Sequence, residues 1–217
     1  MVYLKIKRLI DIILSGIGLI ILSPVFLVII IAIKVDSPGP VLFKQKRVGI
    51  HKSHFHILKF RTMRIDTPKD TPTHLLENPD QWITKVGKFL RKTSLDELPQ
   101  IINIFKGEMS IIGPRPALWN QYDLIEERDK CGANDVPVGL TGLAQINGRD
   151  DLEIDVKARL DGEYAEKIGF MMDVRCFFGT IFSVLRSDGV IEGGTGVKAK
   201  AAAEVNSSNS KGEETVK

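Results

Sequence analysis

The longest apolar run in the chain, Ile12 to Ile33, holds 22 residues without a charge. At about 1.5 Å per helical residue it reaches across a hydrocarbon core of about 30 Å, so length permits a transmembrane helix. Two features favour a re-entrant hairpin instead. Ser23-Pro24 interrupts the run, where proline removes a backbone donor. Basic residues also flank both ends: Lys5, Lys7 and Arg8 before it, Lys34, Lys44, Lys46 and Arg47 after it. Both flanks then prefer the cytoplasmic side, which a helix-break-helix over residues 1–36 satisfies and a straight span does not. A simple anchor is the plainer alternative. A cleaved signal peptide is disfavoured, because the run continues past Pro24 and no small-x-small site ends it.

Asp36-Ser-Pro-Gly-Pro40 is a turn cluster that closes this element. Beyond it, Val41–Phe43 and His54–Thr62 read as short strands, joined through Val48-Gly49 and the polar residues that follow into a β-hairpin. Lys59 and Arg61 share one of its faces. Thr67 to Pro79, with three prolines, reads as a mobile loop. Trp82 to Lys92 places Ile83, Val86, Phe89 and Leu90 at helical spacing among four basic residues, which suits a helix on a membrane surface or one packed on a core. Leu98, Ile101, Ile102 and Phe105 form the apolar stripe of the next helix, and Gly107 stops it. Gly142 to Arg149 reads as a loop rich in glycine and amide. Residues 150–167 read as an acidic, solvated helix, and Phe170 to Leu185 as an apolar helix that packs or touches lipid. From Ala199 the composition is that of a disordered tail. The expected fold is α+β: mainly helical, with a small antiparallel hairpin, a re-entrant membrane helix and interfacial amphipathic helices. Its parts are the membrane element (1–36), a catalytic domain on the cytoplasmic face (37–196) and the tail (197–217).

Composition narrows the partners. A chain of 217 residues holds one domain plus a membrane element. The net charge is only +3, yet Lys34 to Arg64 carries eight basic residues against the single acid Asp36. That excess suits phosphates of a membrane lipid or a nucleotide. No nucleic-acid-binding module accompanies it, so nucleic acid is not an expected partner. Cys131 and Cys176 stand far apart, which fits a reducing cytosol better than a disulfide framework or a zinc site.

The candidate chemistry lies in Lys92-Thr-Ser-Leu-Asp-Glu-Leu-Pro-Gln100 and Ile111-Ile-Gly-Pro-Arg-Pro116. Ser94 and Glu97 have capping-box spacing, and Asp96 as N-cap would put Pro99 harmlessly in the first turn. Either way two carboxylates, Asp96 and Glu97, sit at the positive end of a helix, which also attracts phosphate. An aspartate there can attack phosphorus and give an acyl phosphate. The approach of two anions needs a cation: Mg²⁺ held partly by Asp96 and Glu97, or Arg115, stiffened between two prolines. Lys59 and Arg61 complete such a cluster, or simply form a solvated strand face. His51, His54 and His56 could suggest metal, but alternating histidines on a strand with no cysteine partner read more simply as half-exposed surface. Gly193-Gly-Thr-Gly196 lacks the strand and helix of a phosphate loop. Asp151, Glu153 and Asp155 read as an acidic metal motif of a nucleotide-sugar glycosyltransferase or, more simply, as a helix start.

In this order the motifs resemble bacterial sugar transferases of the monotopic phosphoglycosyl transferase family. Those that carry the resemblance are Ser-Pro in the apolar run, Asp-Ser-Pro-Gly-Pro, Phe-Lys-Gln-Lys-Arg-Val-Gly, Leu-Lys-Phe-Arg-Thr-Met, Thr-Ser-Leu-Asp-Glu-Leu-Pro-Gln, Lys-Gly-Glu-Met-Ser, Gly-Pro-Arg-Pro and Gln-Ile-Asn-Gly-Arg. The resemblance implies a re-entrant helix broken at Ser23 and Pro24 and a nucleophile at Asp96. It implies attack on the β-phosphate of a UDP-sugar with release of UMP, then transfer of the phosphosugar to a polyprenol phosphate, usually undecaprenyl phosphate. Glu97 would act through Mg²⁺ or proton handling, and Arg115 would steady phosphate. Lys59, Arg61, Gln145 and Arg149 are further substrate-binding candidates. The implied setting is the cytoplasmic face of a bacterial inner membrane, upstream of the glycosyltransferases that extend a capsule, exopolysaccharide, O-antigen or glycoprotein glycan. Pro116 to Tyr122 resembles members acting on 2-acetamido-deoxy sugars, which suggests a UDP-linked N-acetylated 6-deoxyhexose. One stretch departs from the family: Pro137 and Val138 stand where Arg-Pro is common, and Leu143 where Trp is. That departure keeps a catalytically silent membrane scaffold in view, alongside a UDP-releasing glycosyltransferase.

Overall fold

The computed structural model describes residues 2–67, 81–148 and 152–186, with side chains to residue 183. The expected loop beyond Thr67, Arg149, Asp151, the Gly193–Gly196 run and the expected tail at 197–217 lie outside these residues. The described chain is mainly helical, with one small antiparallel sheet and a long apolar N-terminal helix.

That helix, α1, runs from Val2 to Asp36 with Pro24 inside it. The helix-break-helix expected at Ser23-Pro24 is a single element, and the reason is local. Pro24 has no N–H for the carbonyl of Ile20, and the Ser23 hydroxyl donates to that carbonyl at 2.8 Å in its place. One face of α1 follows the rest of the molecule along its length. Lys7, Asp11 and Ser15 are buried near its start. Gly16 and Gly18 then pass Phe105 and Ile101, where a Cβ on Gly18 would come within 2.5 Å of Ile101. Ile29 and Ile33 close the contact against Phe60 and Leu90. The opposite face, with Ile13, Ile17, Ile20, Ile21, Leu27, Val28 and Ile31, is exposed.

The hairpin forms from β1 (Leu42–Val48) and β2 (His54–Phe60), antiparallel in register from Leu42 opposite Phe60 to Val48 opposite His54. β1 runs further than the expected Val41–Phe43, because its polar second half has a partner on each side. Arg47 bridges Leu118, and Val48 N–H donates to the Ala117 carbonyl. The turn cluster joins three elements. Arg61 donates to the carbonyls of Ser37 and Pro38, and Asp36 accepts from Val86 N–H at the start of α2 (Lys85–Lys92), where Thr84 is the N-cap. The helix expected from Trp82 therefore starts at Lys85.

In α3 (Gln100–Lys106), Gly107 at φ 91° ends the helix as expected. The expected stripe packs in part, Leu98 against the Phe60–Leu90 cluster and Ile101 against Gly18 of α1, but the most deeply buried residues lie beside it. Gln100, Asn103 and Ile104 point inward, whereas Phe105 is half exposed beside Gly16. A second sheet pairs β3 (Ser110–Ile112) with β4 (Gly139–Thr141) in parallel. α4 (Tyr122–Lys130) lies between those strands in sequence, and after β4 come the short α5 (Leu143–Ile146) inside the expected loop, α6 (Ile154–Glu166) and α7 (Phe170–Arg186). α6 is not a solvated helix: Ala158, Asp161, Gly162 and Tyr164 are buried. Ile112, Leu143, Tyr164, Met172 and Cys176 make the core between the parallel sheet and α5 to α7.

Candidate active site

Asp96 and Glu97 lie in one 3₁₀ turn, Leu95–Glu97, between α2 and α3. Neither expected cap forms. Ser94 is left-handed at φ 55° with no side-chain cap bond, and α3 begins only at Gln100, with Pro99 in the cap position. Leu98 and Pro99 keep helical backbone angles, and Leu98 N–H donates to the Leu95 carbonyl and Ile101 N–H to the Leu98 carbonyl, so the turn that carries the two carboxylates leads directly into α3.

The two acids have opposite environments. Glu97 accepts from Lys59 Nζ at 2.8 Å and from both arms of the Arg115 guanidinium, at 2.5 and 3.2 Å. Burial works against its charge, but the Arg115 and Lys59 cations outweigh burial and hold the carboxyl well below the usual glutamate range. Asp96 has no side chain hydrogen-bonded to its carboxylate among the described residues. Burial raises its pKa, Lys59 and Arg91 pull it down, and the neighbouring Glu97 charge adds to the rise. The net effect is an aspartate harder to ionise than usual, beside a glutamate easier to ionise than usual. Arg91, on α2, also donates to Thr62 Oγ1 at 2.9 Å. Sequence reasoning placed it only on a basic helix face. Its position one turn ahead of the Asp-Glu pair was the available signal.

The other candidates divide. Lys59 and Arg115 meet at Glu97. Arg61 does not join them, because its buried guanidinium is bound to the turn carbonyls of Ser37 and Pro38. The shared-face expectation for Lys59 and Arg61 thus gives two separate jobs. Gln145, on α5, is buried with both amide atoms unpartnered among the described residues. Close packing of Gly113, Gly139 and Gly142 sets it behind the Gly-Pro-Arg-Pro segment. A Cβ on any of these glycines would come within 2.2 Å of backbone on the facing strand or loop. The departures from the family pattern fall on buried positions around this crossing. Val138 packs with Ile57, Ile104 and Met109, and Leu143 sits in the core with Ile112 and Tyr164. Pro137 is half-buried, with its carbonyl against Gly113.

A metal fits this arrangement through Asp96 alone, since both Glu97 oxygens are occupied by cations. No cluster of three or more His, Cys, Asp and Glu able to hold a metal occurs among the described residues. Glu153 is the N-cap of α6 and Asp155 lies in its first turn. His51 contacts Asp135 at 2.9 Å. His54 and His56 line a groove of about 560 Å³ with Lys44, Asn103, Lys106 and Glu108, which shares no residue with the acid pair.

The family model for bacterial sugar transferases matches residues 2–187. The chain is 41% identical over 184 residues to the UDP-glucose:undecaprenyl-phosphate glucose-1-phosphate transferase of Escherichia coli (strain K12), covering 81% of this chain and 39% of that protein. It is 38% identical over 185 residues to the uncharacterized sugar transferase EpsL of Bacillus subtilis (strain 168), covering 85% and 89%. It is 35% identical over 197 residues to the exopolysaccharide production protein ExoY of Sinorhizobium fredii (strain NBRC 101917 / NGR234), covering 84% and 87%. The chain therefore spans about two fifths of the Escherichia coli relative and nearly all of the other two.

Proposed function

The chain belongs to the bacterial sugar transferase family, and from that premise we propose that it moves a phosphosugar from a UDP-sugar to a polyprenol phosphate through Asp96. The name of the Escherichia coli relative describes transfer of a sugar 1-phosphate to undecaprenyl phosphate. The observation that carries the reading is the contrast within the acid pair. Glu97 is consumed by Lys59 and Arg115, whereas Asp96 has no side-chain hydrogen-bond partner among the described residues and lies in the field of Lys59 and Arg91. A carboxylate with free lone pairs next to fixed positive charge is suited to attack a phosphate that the charge has drawn in.

In the proposed reaction an Asp96 oxygen bonds to the β-phosphorus and the bond from that phosphorus to the bridging oxygen breaks. UMP leaves with the electron pair. A phosphate oxygen of the polyprenol phosphate then attacks the same phosphorus, and the Asp96 carboxylate departs. Arg115 and Lys59 hold equatorial phosphate oxygens in both steps, and Glu97 keeps the two cations in place. A carboxyl held so far below its usual range is a weak base, so proton handling by Glu97 is the less suitable role. Mg²⁺ would take Asp96 and substrate oxygens as donors and supply further charge neutralisation. Gln145 is a candidate to hydrogen-bond substrate.

Packing supports an association with one face of the membrane. Between Gly18 and Phe26, both in contact with the rest of the molecule, α1 has seven residues, about 10 Å of helix, against the roughly 20 residues a span needs. A straight crossing would drag the catalytic part into hydrocarbon. Phe170, Met171, Phe177, Phe178, Ile181 and Phe182 of α7 and Phe89 of α2 are exposed apolar residues suited to lie at the interface beside α1. The cytoplasmic face of the inner membrane is the proposed location, at the start of exopolysaccharide or capsule assembly.

The test is the nucleotide released when membranes carrying the protein receive a UDP-sugar and undecaprenyl phosphate. UMP supports phosphosugar transfer. UDP would mean ordinary glycosyl transfer, and no nucleotide with any UDP-sugar would favour a silent scaffold. Supplying UDP-glucose and a UDP-linked N-acetylated 6-deoxyhexose separately distinguishes the two candidate sugars.

A further inference from the structure

Three consecutive carbonyls around Arg115 are each held from outside their own segment. The Pro114 carbonyl accepts from Gly139 N–H of β4 at 2.9 Å, that of Arg115 from Arg128 Nη2 of α4 at 2.9 Å, and that of Pro116 from Arg47 Nη1 of β1 at 3.0 Å. Sequence explains the need. Pro114 and Pro116 have no N–H, so the segment is poorly equipped to pair as a strand, and its buried carbonyls must be met by donors from elsewhere. Both arginines are fixed in turn. Arg128 is buried against the fully buried Asp161, with its Nε at 2.9 Å and Nη2 at 2.5 Å from one carboxylate oxygen. Arg47 donates from its other arm to Gln45 Oε1 at 2.7 Å.

We propose that Arg47 and Arg128 are positioning residues that clamp the backbone on which Arg115 stands and so set where its guanidinium meets phosphate. The inference rests on the phosphate-binding role proposed above for Arg115. A buried ion pair such as Arg128 with Asp161 adds little stability over an apolar replacement, so its geometric work on the Arg115 carbonyl accounts for it better. Neither arginine touches the acid pair through any contact described above. Their influence passes through the Arg115 main chain.

The test uses the full chain in lipid nanodiscs, with UDP binding by titration calorimetry and UMP release as readouts. Arg47→Met keeps the apolar stem and removes the donor. Arg128→Met combined with Asp161→Leu removes the second donor without leaving a buried charge. Each is expected to weaken UDP binding and lower kcat/KM for the UDP-sugar about tenfold or more, the scale of a small misplacement at a site. Arg47→Lys, which retains one donor, should restore part of the loss. In an Arg115→Ala background the same substitutions should change UDP binding by less than about twofold, since coupled groups are not additive. Unchanged binding in the single variants, or an undiminished loss in the Arg115→Ala background, overturns the clamp. If Arg128→Met with Asp161→Leu does not fold, Arg47→Met and Arg47→Lys decide alone. A wild-type chain that binds no UDP overturns the clamp as well. A chain that binds UDP, loses that binding as expected in the variants and yet releases UDP from its substrate sinks only the proposed reaction.

Discussion

At the residue scale, one bend gives two neighbouring carboxylates different work. Glu97 is neutralised by Lys59 and Arg115, and Asp96 is left open and harder to ionise. The proposed nucleophile must be ionised, so activity should rise with pH through a limb displaced upward from the ordinary aspartate value. Glu97→Gln removes the like charge that helps raise Asp96, so its remaining activity should show that limb at lower pH. A pH profile of kcat/KM for both proteins checks this, and a limb that moves upward would contradict it. Stability has the matching sign. A carboxyl whose folded pKa is raised favours the fold below its unfolded pKa, and that contribution is lost as pH rises through the folded value. Asp96→Asn should therefore raise the thermal midpoint at neutral pH and lose that advantage in acid, while abolishing transfer. The acid pair and Arg115 were legible in the sequence because their residue types state their chemistry. Arg61 was not separable from Lys59, since alternation along a strand says which residues share a side and not which carbonyls lie within reach.

At the element scale, α2 is the piece that carries Arg91 towards Asp96 and places Phe89 outward. Its distance from the segment that follows β2 is set by Gly87, where a Cβ would come within 2.0 Å of the Thr62 carbonyl oxygen. Gly87→Ala must push the helix away or break the Thr84 cap, and the expected loss is about 1–3 kcal/mol, the scale of overpacking. A chemical denaturation midpoint measures it, and an unchanged midpoint would mean that α2 docks otherwise. Amphipathic spacing located α2 and the stop of α3, because those depend on neighbours within one turn. The solvated reading of α6 failed at Asp161 for the converse reason. Its partner Arg128 lies 33 residues away in sequence, and an acid buried by a distant arginine looks like a surface acid. The parallel pairing of β3 with β4 was hidden in the same way, since three-residue strands carry no period.

At the scale of the whole molecule, α1 is both a long apolar helix with one face exposed and a wall against which the rest of the described chain packs. Lys7 and Tyr3 donate to Asp173 of α7, Arg8 caps the end of α3, and Asp11 accepts from Ser110 Oγ and Ile111 N–H of β3. The sequence located the apolar run, whereas these polar contacts, which fix how the run lies, join residues about a hundred or more positions apart. If α1 re-enters, cysteines introduced one at a time at Lys5 and Lys34 in a Cys131→Ser background, where the remaining Cys176 is buried, should both react with an impermeant thiol reagent from the cytoplasmic side. Reaction from opposite sides would establish a span. The central claim, that Asp96 carries the phosphosugar, is tested most directly by mixing purified protein with UDP-sugar and no lipid acceptor. The account predicts at most one UMP released per protein and a peptide containing Asp96 heavier by one phosphosugar, both lost in Asp96→Asn. UMP release that needs the lipid acceptor, with Asp96 unmodified, would contradict it.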